Sequence, residues 1–282
     1  MQNRIGVGLF ALLFSVLTGC SQIELFYDRA DWYVLYKIDG YFDIDDRQEE
    51  FLEGKVAEFH AWHREEEIPR LIAFLKTAKL EFGKGLRAEH LQWVEEEFQQ
   101  MKSRIADRIG ADVAIFLSTL SDEQVAYFRE KLDEDNEEYE EKMALPEEEW
   151  REEEQEKVLE RVEEWFGDTT EEQKQAIVKY LESNPWDRKA YRRQRKLVQA
   201  EIVALLNERR EPTEIQSVIS SWFINPSLLR NDEYDRAVRD RQASRKVFWL
   251  EMDRKLTDRQ RRHAVEELQE YIEDFQSIHE KG

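Results

Sequence analysis

The chain predicts an all-α protein, and three observations carry that expectation. Apolar residues recur at three- and four-residue spacing along most of its length, the mark of helices with one buried face. Only ten glycines and five prolines punctuate 282 residues, while 37% of residues are charged, a composition that suits long amphipathic helices. Helix starts are also repeated: Ile44-Asp45-x-x-Gln48, Leu120-Ser121-x-x-Gln124, Thr169-Thr170-x-x-Gln173 and Leu256-Thr257-x-x-Gln260 share one pattern.

Residues 1–19 stand apart from the fold. Arg4 is their only charged side chain, and the charge-free run 5–17 is shorter than the roughly 20 residues that cross a bilayer. Leu17-Thr18-Gly19-Cys20 follows. The layout is similar to the bacterial lipoprotein signal, in which the cysteine becomes the acylated first residue. That resemblance implies acyl chains on Cys20, and Ser21 after it implies the outer membrane. Cys20 is the only cysteine, so no disulfide and no cysteine zinc site is expected. Residues 20–44 form an aromatic-rich segment with Phe26, Tyr27, Trp32, Tyr33, Tyr36, Tyr41 and Phe42. These rings are read as early core in preference to a membrane-interface belt.

A helix is expected over 45–67 on Phe51, Leu52, Val56, Phe59 and His63, with Pro69 kinking it or starting another that reaches Phe82. Gly83-Lys84-Gly85 breaks the pattern. The next helix runs from about Ala88 to Ile109, with Gly110 as its end or a bend. Ser121 opens a helix that enters an acidic stretch, and Pro146 interrupts that stretch before a helix to Phe166. Gly167-Asp168 is a stop. Thr170 begins the following helix, and Asn184-Pro185 reads as an N-cap with proline at the first helical position. A long helix should reach about Arg210. Pro212-Thr213-x-x-Gln216 starts another, Asn225-Pro226 breaks it, and a helix pair covers about 231–255 and 257–279.

Charge is uneven. The net charge is −21; residues 168–282 hold 22 basic and 22 acidic side chains, so the excess lies in residues 1–167. Residues 130–164 are densely acidic, and Arg188-Lys-Ala-Tyr-Arg-Arg-Gln-Arg-Lys196 is basic. Both runs read as solvated helix surface, or as faces that meet each other or a partner. An acidic chain is repelled by phosphate backbones, so no nucleic-acid partner is expected.

The repeated pattern is a capping box. Asp45, Ser121, Thr170 or Thr257 accepts from the amide three residues on, and Gln48, Gln124, Gln173 or Gln260 reaches back to the cap's own amide. Thr213 and Gln216 fit the same grammar. On this reading Glu replaces Gln260 at little cost, since a carboxylate also accepts that bond. The caps lie 76 and 87 residues apart in two pairs. The spacing suggests two halves, 45–145 and 170–282, joined by an acidic connector, 146–169. The halves are either an internal duplication or a chance likeness of helices.

Two family resemblances follow from these residues. Residues 20–75, with the Cys-Ser start, Asp31-Trp32, the Asp-x-x-Gln cap and Trp62-His63-Arg64 to Ile68-Pro69, resemble an uncharacterised family of proteobacterial lipoproteins, domain of unknown function 6279. That likeness implies no activity. The Leu-Thr-x-x-Gln helices resemble those of the periplasmic proteins Spy and CpxP, and so imply an elongated helical bundle or cradle, built here of two pseudo-symmetric halves, and a chaperone or stress-regulatory role. The chain departs from them in its acidity and its expected anchor.

For chemistry the sequence offers little. His60-x-x-His63, with Glu67 a turn on, is half of a metal site at most, and reads better as histidines satisfied near a kink. Glu182-Ser183 resembles the pair of lytic transglycosylases in two letters only. There is no GxSxG, P-loop or GxGxxG. No enzyme, cofactor or metal is expected. The function expected is protein binding or scaffolding at the periplasmic face of the outer membrane, with another envelope protein or an unfolded client as partner. A cell-wall hydrolase or its accessory is the alternative.

Overall fold

Nearly every residue outside short turns is helical in the computed structural model, which describes residues 21–281, and no strand occurs among them. The chain is all-α. The expected signal segment 1–19 and Cys20 lie outside the described residues. The helices are α1 (Ser21–Tyr27), α2 (Ala30–Phe42), α3 (Asp46–Trp62), α4 (Ile68–Gly83), α5 (Ala88–Thr119), α6 (Asp122–Met143), α7 (Glu147–Phe166), α8 (Glu171–Ser183), α9 (Arg188–Asn207), α10 (Pro212–Ile224), α11 (Asp232–Asp253) and α12 (Asp258–Glu280).

Four local expectations change for physical reasons. Between α3 and α4 the helix does not stop at Pro69 but widens into a π-turn, His63–Glu67, closed by the Ile68 amide on the His63 carbonyl. A proline ring clashes with the carbonyl four residues back and cannot donate to it; the wider turn relieves both problems. Gly110 neither ends nor begins a helix, because α5 runs through it for 32 residues. A Cβ at Gly110 would sit 2.8 Å from Ser220 Oγ and 3.4 Å from Gln216 Cγ. The glycine therefore serves the close approach of α10 to α5. Asn184 is a C-cap, its side chain donating to the Tyr180 carbonyl at 2.9 Å. Asp187 takes the N-cap of α9 by accepting from the Ala190 amide at 2.8 Å. Thr213 is likewise inside α10, since Pro212 holds the first turn and Glu211 is the N-cap.

The chain divides into two compact units. The first is built from residues up to Leu75, Leu120–Glu140 and Glu270 onward. Its core joins Ile68 and Ile72 of α4 to Ile272 and Ile278 of α12, with Ile23 and Tyr27 of α1 packed against them. Phe42 of α2 stacks on Phe128 of α6 at 4.7 Å, and the Tyr41 hydroxyl donates to Asp135 at 2.5 Å.

The second unit is built from Lys76–Thr119 and Glu141–Gln269. One cluster joins Val162, Ile177, Phe248 and Met252 across α7, α8 and α11. Another joins Ala114, Leu205 and Ile215 across α5, α9 and α10. Lys102 of α5 donates to the Ile224 carbonyl at 2.8 Å, placing a cation at the end of α10 where the helix dipole favours one. Of the basic run, Arg188 reaches the start of α7. It donates to the Met143 and Leu145 carbonyls, both at 3.2 Å, pairs with Glu147 at 3.0 Å and lies over the Trp150 ring.

Candidate functional site

The four repeated caps are brought together in two pairs, one in each unit. In the second unit the N-termini of α8 and α12 meet. Thr170 Oγ1 accepts from the Gln173 amide and the Thr170 amide donates to Gln173 Oε1, at 3.3 and 2.9 Å. Thr257 and Gln260 repeat this at 3.2 and 3.0 Å. The two glutamine side chains then bond to each other, Nε2 to Oε1 in both directions, at 2.9 and 2.8 Å. Each Nε2 spends its second proton on a carbonyl two residues before the partner's cap: Gln173 on Lys255 and Gln260 on Asp168, both at 2.9 Å. Gln173 and Gln260 are buried, at 1% and 3% exposure.

In the first unit α3 and α6 meet the same way. Asp45 Oδ1 accepts from the Gln48 amide at 2.9 Å, and the Asp45 amide donates to Gln48 Oε1 at 3.1 Å. Ser121 and Gln124 exchange the same two bonds at 3.1 and 3.0 Å. Gln48 and Gln124 bond reciprocally at 3.1 and 2.6 Å, and Gln124 Nε2 donates to the Asp43 carbonyl at 3.0 Å. Gln48 is buried, whereas Gln124 is half-exposed.

This arrangement corrects the tolerance of Gln260 to Glu. A carboxylate could accept from the Thr257 amide but has no proton for Gln173 or Asp168. Each glutamine is therefore a latch between two helix ends as well as half of a cap. One signal for this was present in the sequence: a chain with 63 acidic residues has Gln, never Glu, at all four positions. The paired N-termini also place two partial positive charges side by side. Acids in the first turns, among them Asp46, Asp122, Glu171, Glu172 and Asp258, lie where they offset that charge.

Titratable groups cluster in the first unit, where α1 and α2 meet the end of α3. His60 Nδ1 faces Asp31 Oδ1 at 2.8 Å, and its Nε2 is buried without a hydrogen-bond partner. The Tyr27 hydroxyl donates to the His60 carbonyl at 3.4 Å and lies 3.1 Å from His63 Nδ1. Burial pushes the Tyr27 hydroxyl up to about 12 and the His63 imidazole down to about 4. Glu67 opposes the His63 shift and His60 adds to it. The ring is thus held neutral at pH 7. Among the described residues no group of three or more His, Cys, Asp or Glu is placed to hold a metal ion. Glu182 is exposed on the last turn of α8.

A pH dependence follows. The folded pKa of His63 lies below its ordinary 6.5, so the unfolded chain takes up the proton first as pH falls. Stability from the neutral ring is complete above 6.5 and lost as pH drops toward 4, on the order of 3 kcal/mol in all. His63→Gln removes the titration and keeps a hydrogen-bonding side chain beside Tyr27. Urea midpoints should therefore fall from pH 6.5 to 5 in the parent and stay flatter in the variant. Equal slopes would show that His63 is not the group responsible.

A groove of about 720 Å³ runs between α8 and α11. Ala176, Tyr180, Val247 and Phe248 line it together with Lys179 and Lys255, and Val247 is 55% exposed. A smaller cleft of about 210 Å³ is lined by Trp186, Tyr234 and Arg241, with the Arg241 guanidinium 4.8 Å over the Trp186 ring.

Paired helix N-termini locked by reciprocally bonded glutamines define an all-α protein in which each unit carries its own latch. Residues 40–235 match the model of a family of unknown function, DUF6279. The match covers well over half of the chain, which belongs to that family. No curated protein and no solved structure matches it.

Proposed function

We propose that this is a lipid-anchored envelope protein at the periplasmic face of the outer membrane, held through acyl chains on Cys20, that binds other proteins without transforming them. Its specific form is a holdase for unfolded clients. The observation that carries the binding role is the groove between α8 and α11, where Val247 stays 55% exposed beside Phe248 and Tyr180. An apolar floor bordered by Lys179, Lys255 and Glu251 suits an apolar segment with polar flanks. The order of the first twenty residues supports the anchor, and the Leu-Thr-x-x-Gln likeness to Spy and CpxP supports the holdase form.

The test is a client assay. The full chain should delay light scattering by reduced α-lactalbumin, an acidic unfolded probe, at equimolar ratio. Val247→Glu puts a carboxylate in the groove at a solvated position. It should abolish the delay while thermal stability stays within about 0.5 kcal/mol, as for surface changes generally. A parent protein that leaves aggregation untouched, or a variant that still protects, would refute the groove as a client site.

A further inference from the structure

The rings of residues 26–42 do not all turn inward as expected. Tyr27 and Phe42 pack in the first unit. Trp32 and Tyr36 stand out at 66% and 57% exposure, with Leu25 at 52% and Phe26 at 45%. The outward residues form one surface. Trp32 and Tyr36, one turn apart on α2, stack with ring centres 5.5 Å apart and planes 13° apart. Phe26 of α1 meets Tyr33 of α2 at 6.1 Å, so the faces of the two helices adjoin. Lys37 Nζ lies 5.5 and 5.7 Å over the Tyr33 and Tyr36 rings. Two acids of the segment turn inward: Glu24 to Ser277 and Lys281, and Asp31 to His60. Asp28 sits at the α1–α2 turn. Asp39, whose carboxylate accepts from the Ile44 amide at 3.2 Å, lies one turn past Tyr36. Asp28 and Arg29 thus lie at the turn between the two halves of the apolar face, Asp39 lies beyond its far end, and Lys37 covers the Tyr33 and Tyr36 rings.

We infer that the outward face of α1 and α2, carrying Leu25, Phe26, Trp32 and Tyr36, is a lipid-docking surface that lies in the headgroup layer. The inference rests on the lipid-anchor reading for its occupant. Cys20 immediately precedes α1. Leu25 is only five residues from Cys20, so an acylated Cys20 would hold the start of α1 at the headgroup layer, the layer in which an interfacial helix buries its apolar face. Trp and Tyr are the residues whose rings suit that layer, apolar in body and polar at one edge. Arg29 and Lys37 would meet lipid phosphates, and Asp28 and Asp39 the ammonium groups of ethanolamine lipids. A tether of this kind fixes the orientation of the first unit at the bilayer as well as its distance.

The experiment uses the full chain purified from envelopes and reconstituted into phosphatidylethanolamine vesicles carrying phosphatidylcholine brominated high on its acyl chains. Bromine quenches a tryptophan only on close approach. The parent should lose an emission component that Trp32→Phe, which keeps an apolar ring, no longer possesses. Equal quenching of parent and variant, or none in either, overturns the docking surface, whether the face is then bare or covered by a second protein. The mass of the Cys20 peptide decides the anchor separately. An acylated chain with unquenched Trp32 loses the surface and keeps the anchor. An unacylated chain with quenched Trp32 loses the anchor and keeps the surface, and one that shows neither loses both.

Discussion

Gln260→Glu is expected to destabilise the second unit by about 3–5 kcal/mol, the scale set by leaving a buried charge and its neighbours without partners. The change is isosteric, so packing is not the cause. Gln260 is 3% exposed and donates to both Gln173 Oε1 and the Asp168 carbonyl. A carboxylate loses both bonds and turns a negative charge on two oxygen acceptors. Burial raises its folded pKa, so the penalty is complete above that raised value and relieved as pH falls toward the ordinary carboxylate range near 4.3. Urea unfolding should thus show a deficit at pH 7 that shrinks by pH 5. Gln124→Glu, at the half-exposed latch, should cost less because water reaches it. A Gln260→Glu chain as stable as the parent would mean that the glutamine acts only as a cap.

Ile177→Ala should cost about 3–4 kcal/mol, in the middle of the range for buried aliphatic truncations. Ile177 is fully buried among Val162, Phe248 and Met252. Its surroundings have little freedom to collapse into the space left. Tyr180 stacks on Phe248 at 4.3 Å, Phe248 meets Trp249 edge-on at 5.2 Å, and Trp249 meets Phe166 at 6.1 Å. Rings in successive contact cannot shift to close a gap without breaking contacts elsewhere. Hydrogen exchange should accelerate in α7, α8 and α11, and Ile177→Val should cost only about 1 kcal/mol. A loss under 1 kcal/mol for the alanine variant would show that the cluster relaxes freely.

The helices were legible where the cause is local. Capping is a matter of three or four consecutive residues, so Asp45, Ser121, Thr170 and Thr257 announce their helices in the bare sequence. Which cap faces which is not local. The spacing of 76 and 87 residues suggests two halves and nothing about which caps meet, because the amide exchange of Gln173 with Gln260 depends on two helix ends arriving at one place. Gly110 misled for the same reason: a glycine that ends a helix and one that admits a neighbour look alike until Ser220 is beside it. Asn184 looks like a helix opener because Pro185 follows, yet Asp187 takes that role three residues on. The aromatic segment was read as core because rings are costly to expose. Trp32 and Tyr36 violate that rule, and such violations concentrate where a surface meets something other than water.

The π-turn at His63–Glu67 carries one residue more than a regular helical ladder needs. One residue is about 100° of rotation at 3.6 residues per turn. The rod that begins at Asp46 therefore changes phase before it reaches Gly83. Gln48 and Leu52 set the inward direction on one side of the turn, and Ile68 and Ile72 set it anew on the other. What looks like a defect forced by Pro69 works as a gear between two helical registers, and it places Tyr27, His60 and His63 at the point where the register changes.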